Sequence, residues 1–176
     1  ELTWQQPWDQ VLDWSNAPFA KWFTGAKVNI SENCLDRHLG GPRKDKIAIL
    51  FQGEPGDVRK ITYAELHSLV CEFANALKKR GIKKGDRVII YMPMSVEGVV
   101  AMQACARIGA THSVVFGGFS AQSLRDRIEG TGAVMVITAD EQARGGKHLP
   151  LKAIVDEALG MPGTASIGSV IVYKRT

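Results

Sequence analysis

Between Asp86 and Tyr173 the apolar residues come in two alternating forms. Short continuous runs, DRVIIYM (86–92), HSVVF (112–116), AVMVIT (133–138) and SVIVY (169–173), predict strands buried on both faces. Between them the apolar positions return every three or four residues. The segments VEGVVAMQACARIG after Ser95, AQSLRDRIEG after Ser120, and PLKAIVDEALG (150–160) therefore predict amphipathic helices, with Ser95 and Ser120 as N-caps. The resulting order is β-α-β-α-β-α-β. Near-continuous apolar strands in that order predict an α/β fold, a parallel sheet of βαβ units with helices on both faces.

Upstream the pattern changes twice. IAILF (47–51) and RKITY (59–63) flank the turn composition GEPGD (53–57), which predicts a β-hairpin. Thr62 with Glu65 forms a capping-box pattern for a helix over YAELHSLVCEFANALKKR. Its apolar stripe is Leu66, Leu69, Val70, Phe73, Ala74 and Leu77, and Gly81 ends it. Residues 1–42 stand apart, because all four tryptophans lie there. Trp4, Trp8 and Val11 share a helical spacing, as do Phe19, Trp22 and Phe23. That spacing predicts a helical aromatic arm docked on an α/β unit over 43–176. A base-stacking platform would need interleaved basic residues, which the arm lacks.

Composition narrows the function classes. With 176 residues and 45% hydrophobic content the chain can bury a sizeable core. The net charge of +4 is spread along the chain and forms no basic stripe of the kind that tracks nucleic acid. Cys34, Cys71 and Cys105 are odd in number and widely spaced, which argues against a zinc site or a disulfide framework. Cys71 and Cys105 fall in apolar-periodic surroundings and are expected to be buried thiols. Neither a signal peptide nor a run long enough to span a membrane occurs, so a cytoplasmic, reducing compartment is expected. The chain opens without Met and stops just after a strand-like run, so a fragment of a longer protein is expected.

In open parallel sheets, ligands bind beyond the carboxyl ends of the strands. Three loops meet that condition: MPMS (92–95), FGGFS (116–120) and TADEQARGGK (138–147). In FGGFS, Gly117 and Gly118 let backbone approach a ligand, Phe116 and Phe119 can flank a flat ring, and Ser120 starts a helix. A tight strand-to-helix turn is the plainer alternative. In ARGGK, Arg144 and Lys147 flank Gly145 and Gly146; a guanidinium fork and a point charge together suit a phosphate group, and an exposed basic turn is the alternative. TGAK (24–27) lacks the full phosphate-loop pattern and is expected to have no strand before it. His38, His67, His112 and His148 show no metal spacing, and no Ser-His-Asp or Cys-His set can be assembled. Asp140 and Glu141 are expected to orient the loop. The residues alone indicate a phosphate- or nucleotide-binding α/β unit without a visible catalytic centre.

Longer segments carry a resemblance. NISENCLDRHL (29–39), GEPGDVRKITYAEL (53–66), YMPM (91–94), AMQACARIGATHSVVFGGFSAQSLRDRI (101–128) and ITADEQARGGKHLPLKAIVDEAL (137–159) resemble the N-terminal part of the acetyl-CoA synthetases. These are acyl-CoA synthetases of the adenylate-forming superfamily, and the aromatic arm looks like the segment that precedes their adenylating domain. The resemblance implies that a full-length parent uses acetate, ATP with Mg2+, and CoA to give acetyl-CoA, AMP and pyrophosphate through an acetyl-adenylate. It implies CoA contacts at Arg144, Gly145, Gly146 and Lys147, with Phe116, Gly117 and Gly118 near the adenine. Many members carry Arg where this chain has Lys147, which keeps the charge but loses the fork. The ATP loop, the adenylate-holding acidic motif, the hinge, the catalytic lysine and the acyl pocket are not among these residues. The segment alone is therefore expected to be inactive. The alternatives are a propionyl- or other short-chain acyl-CoA synthetase and a stand-alone nucleotide- or CoA-binding module.

Overall fold

The computed structural model describes residues 2–175. Its arm departs from the helical expectation. Strands β1 (Gln10–Asp13) and β2 (Lys21–Thr24) pair antiparallel, with Leu12 opposite Trp22. Pro7 lies between Trp4 and Trp8, and a proline there removes a backbone donor and disfavours helix in the residue before it. The periodicity has another origin: Trp4, Trp8 and Phe23 stack on one another with ring centroids 5.2–5.5 Å apart. Much of the remaining aromatic surface faces outward, with Phe19 72%, Trp22 61% and Trp14 54% exposed, so the arm is not docked through those rings. A strand does precede Thr24–Lys27, but it belongs to this two-stranded hairpin, and Lys27 pairs back onto Gln6.

Polar contacts anchor the arm instead. Helix α1 (Ile30–Cys34) is capped by Asn29, whose Oδ1 accepts from the Ser31 and Glu32 amides. The Asn29 side chain also donates to the Arg107 carbonyl at 3.0 Å. Asn33 exchanges hydrogen bonds with the Thr3 backbone at 2.7 and 2.9 Å. In the short 3-10 turn that follows, Asp36 takes both arms of the Arg107 guanidinium at 2.7 Å. Such bidentate charge-assisted pairs are stronger than neutral hydrogen bonds.

The remaining elements follow the predicted order. Strands β3 (Ile47–Gln52) and β4 (Val58–Thr62) form the hairpin, and α2 (Tyr63–Lys79) starts on the Thr62–Glu65 capping box. Leu66, Val70, Ala74 and Leu77 of its stripe are buried, while Leu69 and Phe73 are only partly covered. Then come β5 (Arg87–Met92), α3 (Val96–Arg107), β6 (Thr111–Phe116), α4 (Ala121–Thr131) and β7 (Met135–Ala139). Ser95 and Ser120 cap α3 and α4 as expected, accepting from the Gly98 and Ser123 amides. A small hairpin, β8 (Gln142–Arg144) with β9 (Lys147–Leu149), precedes α5 (Leu151–Leu159) and β10 (Ser169–Tyr173).

Strands β10, β7, β5 and β6 form one all-parallel sheet in that spatial order. The chain steps from β5 outward to β6, then crosses back over β5 to β7 and on to β10. Right-handed crossovers therefore put α3 on one face and α4 with α5 on the other. α2 packs on α3 and α4 on α5, completing two helical layers. The central strand shows the consequence: Val88 to Met92 are all buried. Cys105 is buried too, and burial pushes its thiol up to about 12. Cys71 is only half-buried, contrary to expectation, because the arm leaves a cleft beside it.

The Arg107 guanidinium beside Asp36 holds the Asp36 carboxyl below the usual carboxylate range. A lowered folded pKa contributes stability that is complete above the unfolded value and is lost as pH falls through the folded one. Asp36→Asn is expected to cost about 1–2 kcal/mol near neutral pH. Denaturant unfolding should show the variant and parent converging as pH falls below about 4, the unfolded carboxylate value. A loss independent of pH would assign the effect to packing.

Candidate functional site

The carboxyl ends of all four parallel strands open into one cleft of about 420 Å³. Met92, Pro93 and Met94 reach it from β5, Phe116 and Gly117 from β6, Gln142 to Arg144 from beyond β7, and Arg175 from beyond β10. Its outer wall is the β3–β4 hairpin, through Phe51, Gln52, Gly53 and Glu54. The sheet changes direction between β5 and β7, and such switch points are where open α/β sheets bind ligands.

The segment Arg144–Lys147 is a tight hairpin and not a loose loop. Gly145 and Gly146 have φ of +58° and +70°, the left-handed conformation that a two-residue turn of this kind needs at both central positions. Arg144 and Lys147 are thus cross-strand partners at the hairpin tip, and both are exposed. The tip is held at its outer side by Glu54, whose carboxylate accepts the Gly146 N–H at 2.8 Å. An anionic oxygen of the protein therefore already occupies the turn's outward amide.

Two buried side chains fix the Phe116–Ser120 turn, Gln142 from this hairpin and Tyr91 from β5. Gln142, 5% exposed, donates from Nε2 to the Gly117 carbonyl at 2.6 Å. Tyr91, the penultimate residue of β5, donates its hydroxyl to the Phe119 carbonyl at 2.8 Å and accepts the Gly118 N–H at 3.3 Å. Burial pushes the Tyr91 hydroxyl pKa up, so it stays a donor. The Arg144 guanidinium lies over the Phe116 ring, 4.7 Å from its centroid, in a cation–π stack. Phe116 and Phe119 meet edge-on at 6.0 Å. They do not face each other as two walls of a slot for a ring; Arg127 lies over Phe119 instead.

All seven sequence-predicted positions thus fall in one neighbourhood. Phe116, Gly117 and Arg144 line the cleft, Gly118 underlies the Arg144 side chain, and Gly145, Gly146 and Lys147 form the rim. Tyr91, Gln142, Glu54 and Arg175 escaped the sequence reading. Arg175 had a signal, since it lies two residues beyond the last strand. Asp140 orients the loop as expected, accepting the Glu141 and Arg175 amides at 2.8 Å, while Glu141 pairs with His148 at 2.7 Å. Among the described residues no three His, Cys, Asp or Glu side chains gather into a metal site. Also among them, no helix is long and apolar enough to cross a membrane.

Residues 35–171 match the family model described as AMP-binding enzyme, and the chain belongs to that family. Residues 1–34 match the model described as acetyl-coenzyme A synthetase N-terminus. The chain is 66% identical to the acetyl-coenzyme A synthetase of Ralstonia pickettii (strain 12J) and 65% identical to that of Herminiimonas arsenicoxydans, each over 99% of this chain and 26% of the relative. The solved structure of acetoacetyl-CoA synthetase from Streptomyces lividans superposes with a TM-score of 0.88 at 32% identity, covering 97% of this chain and 26% of that one. The chain therefore spans about a quarter of the length of these relatives.

A side chain at Gly118 would sit on strained backbone and would displace the Arg144 guanidinium. A Cβ on Gly118 would lie 2.9 Å from Arg144 Nη1, at a φ of +134°. Gly118→Ala is expected to destabilise the fold by about 1–3 kcal/mol and to lift Arg144 off Phe116. Denaturant unfolding measures the first effect. An unchanged midpoint would show that the fold does not depend on the backbone conformation glycine permits at position 118.

Proposed function

We propose that this chain is the N-terminal part of an acetyl-CoA synthetase and that its carboxyl-edge cleft takes the phosphorylated nucleotide end of CoA. In the parent reaction acetate attacks the α-phosphate of ATP, releasing pyrophosphate. The CoA thiolate then attacks the acetyl carbon and displaces AMP. The relatives at 59–66% identity all bear the acetyl-coenzyme A synthetase name, which favours acetate over the acetoacetate of the more distant structural neighbour.

The observation that carries the CoA assignment is the stacking of Arg144 on Phe116 at the glycine-lined mouth of the cleft. Stacking holds the guanidinium plane in place, so little side-chain entropy is lost when it meets a phosphate. Lys147 adds a second cation across the hairpin tip. The Phe116 ring and the adjacent Gly117–Gly118 backbone offer an apolar surface and close approach for a purine. Among the described residues the one carboxylate lining the cleft, Glu54, is engaged by the Gly146 amide, and the role assigned to this chain is to bind and orient CoA. Mg2+ would shield ATP phosphates, and no residues described here are grouped to hold it.

Arg144→Glu in the full-length enzyme should raise the KM for CoA about tenfold or more, the equivalent of one lost charge-assisted contact. Acetate-dependent ATP–pyrophosphate exchange should stay unchanged. Equal CoA kinetics in variant and parent would reduce the hairpin to a surface turn. Glu54→Gln removes the anion that competes for the Gly146 amide, and should lower the KM for CoA by about two- to threefold, the scale of an exposed charge pair.

A further inference from the structure

On the side of the sheet-flanking helices away from the cleft, a second group of reactive side chains converges. Cys71 and His67 are one helical turn apart on α2, with Cys71 Sγ 3.5 Å from His67 Nε2. The same Nε2 lies 3.4 Å from Asp36 Oδ1. Asp36 is doubly bonded to Arg107, whose Nη2 is also 3.5 Å from the imidazole nitrogen. The thiol opens into a cleft of about 310 Å³ whose charged walls are Glu32, Lys78 and Arg107. Cys71, by contrast with Cys105, is half-buried and reachable.

We propose that Cys71 is a thiol–disulfide exchange site for a small zwitterionic disulfide of the glutathione type. His67 is placed to accept the thiol proton. The imidazolium so formed faces the Asp36 carboxylate, and Asp36 also neutralises Arg107, which would otherwise oppose that charge. The thiolate attacks one sulfur of the disulfide, a Cys71–S–S–R bond forms, the old S–S bond breaks, and the departing thiolate takes a proton from His67. No net oxidant beyond the disulfide is needed. The cleft walls match the ligand: Lys78 and Arg107 suit its carboxylates, and Glu32 suits its ammonium group. An adduct here presses on the junction where the aromatic arm is anchored to α2 and α3.

The test treats the full-length protein with oxidised glutathione under native conditions and follows the Cys34, Cys71 and Cys105 peptides by mass spectrometry. Cys71 should acquire the adduct at least about fivefold faster than Cys34, with Cys105 unmodified, because Cys71 alone of the three has the imidazole beside it and a cleft in front of it while Cys105 is buried. His67→Gln should slow the Cys71 reaction about tenfold while leaving Cys34 unchanged, which also reports that the variant is folded. Lys78→Ala, an exposed change, should erase the preference for oxidised glutathione over uncharged 2-hydroxyethyl disulfide. Modification of Cys71 no faster than Cys34 in the parent protein would overturn the proposal without any variant. So would a Cys71 preference that persists undiminished in a folded His67→Gln protein.

Discussion

Strand β5 is hydrogen-bonded on both edges, to β6 and to β7, and buried on both faces. A parallel strand in that position cannot be joined to its neighbours by short turns; each link must leave the sheet, cross it as a helix and return. Alternating right-handed crossovers then cover both faces and bring every strand's carboxyl end to one edge. The cleft follows from this constraint. Four segments remote in sequence, beginning at Met92, Phe116, Asp140 and Lys174, are delivered to one place without any direct sequence relation between them.

The sheet supplies the location, and a few buried polar groups supply the geometry. Gln142 ties the hairpin to the Gly117 backbone through a buried hydrogen bond, and the buried Tyr91 holds the Gly118–Phe119 backbone to β5. Leaving such a group unpaired costs more than the bond gains, so the two turns are effectively one unit. The arm is held by the same economy. Asn29 and Asp36 fasten it to Arg107 at the end of α3, while Asn33 ties the Thr3 backbone to α1 within the arm. Arg107 thus joins the arm, the α3 terminus and the Cys71 cluster.

The α/β core was legible because each signal there is local. Apolar runs, the Thr62–Glu65 box and the Ser95 and Ser120 caps lie within a few residues of the structure they cause. The candidate site was half legible. Glycine pairs and charges at strand ends marked Arg144–Lys147 and Phe116–Gly118, but Glu54 and Gln142 act across 92 and 25 residues, distances at which single-sequence patterns are silent. The arm misled because Trp4, Trp8 and Phe23 cluster across a hairpin, and an i, i+4 spacing appears by coincidence. The Cys71–His67 pair is the opposite case. Its i, i+4 spacing is plain in the sequence, yet its meaning depends on Asp36, which only the fold brings near.

The central claim is that two turns on one sheet edge form a single CoA-binding surface. Hydrogen–deuterium exchange on the full-length protein, with and without saturating CoA, tests it most directly. Protection should appear together in the peptides covering Phe116–Phe119 and Arg144–Lys147, with the arm peptides unaffected. CoA binding that protects neither segment would contradict the account.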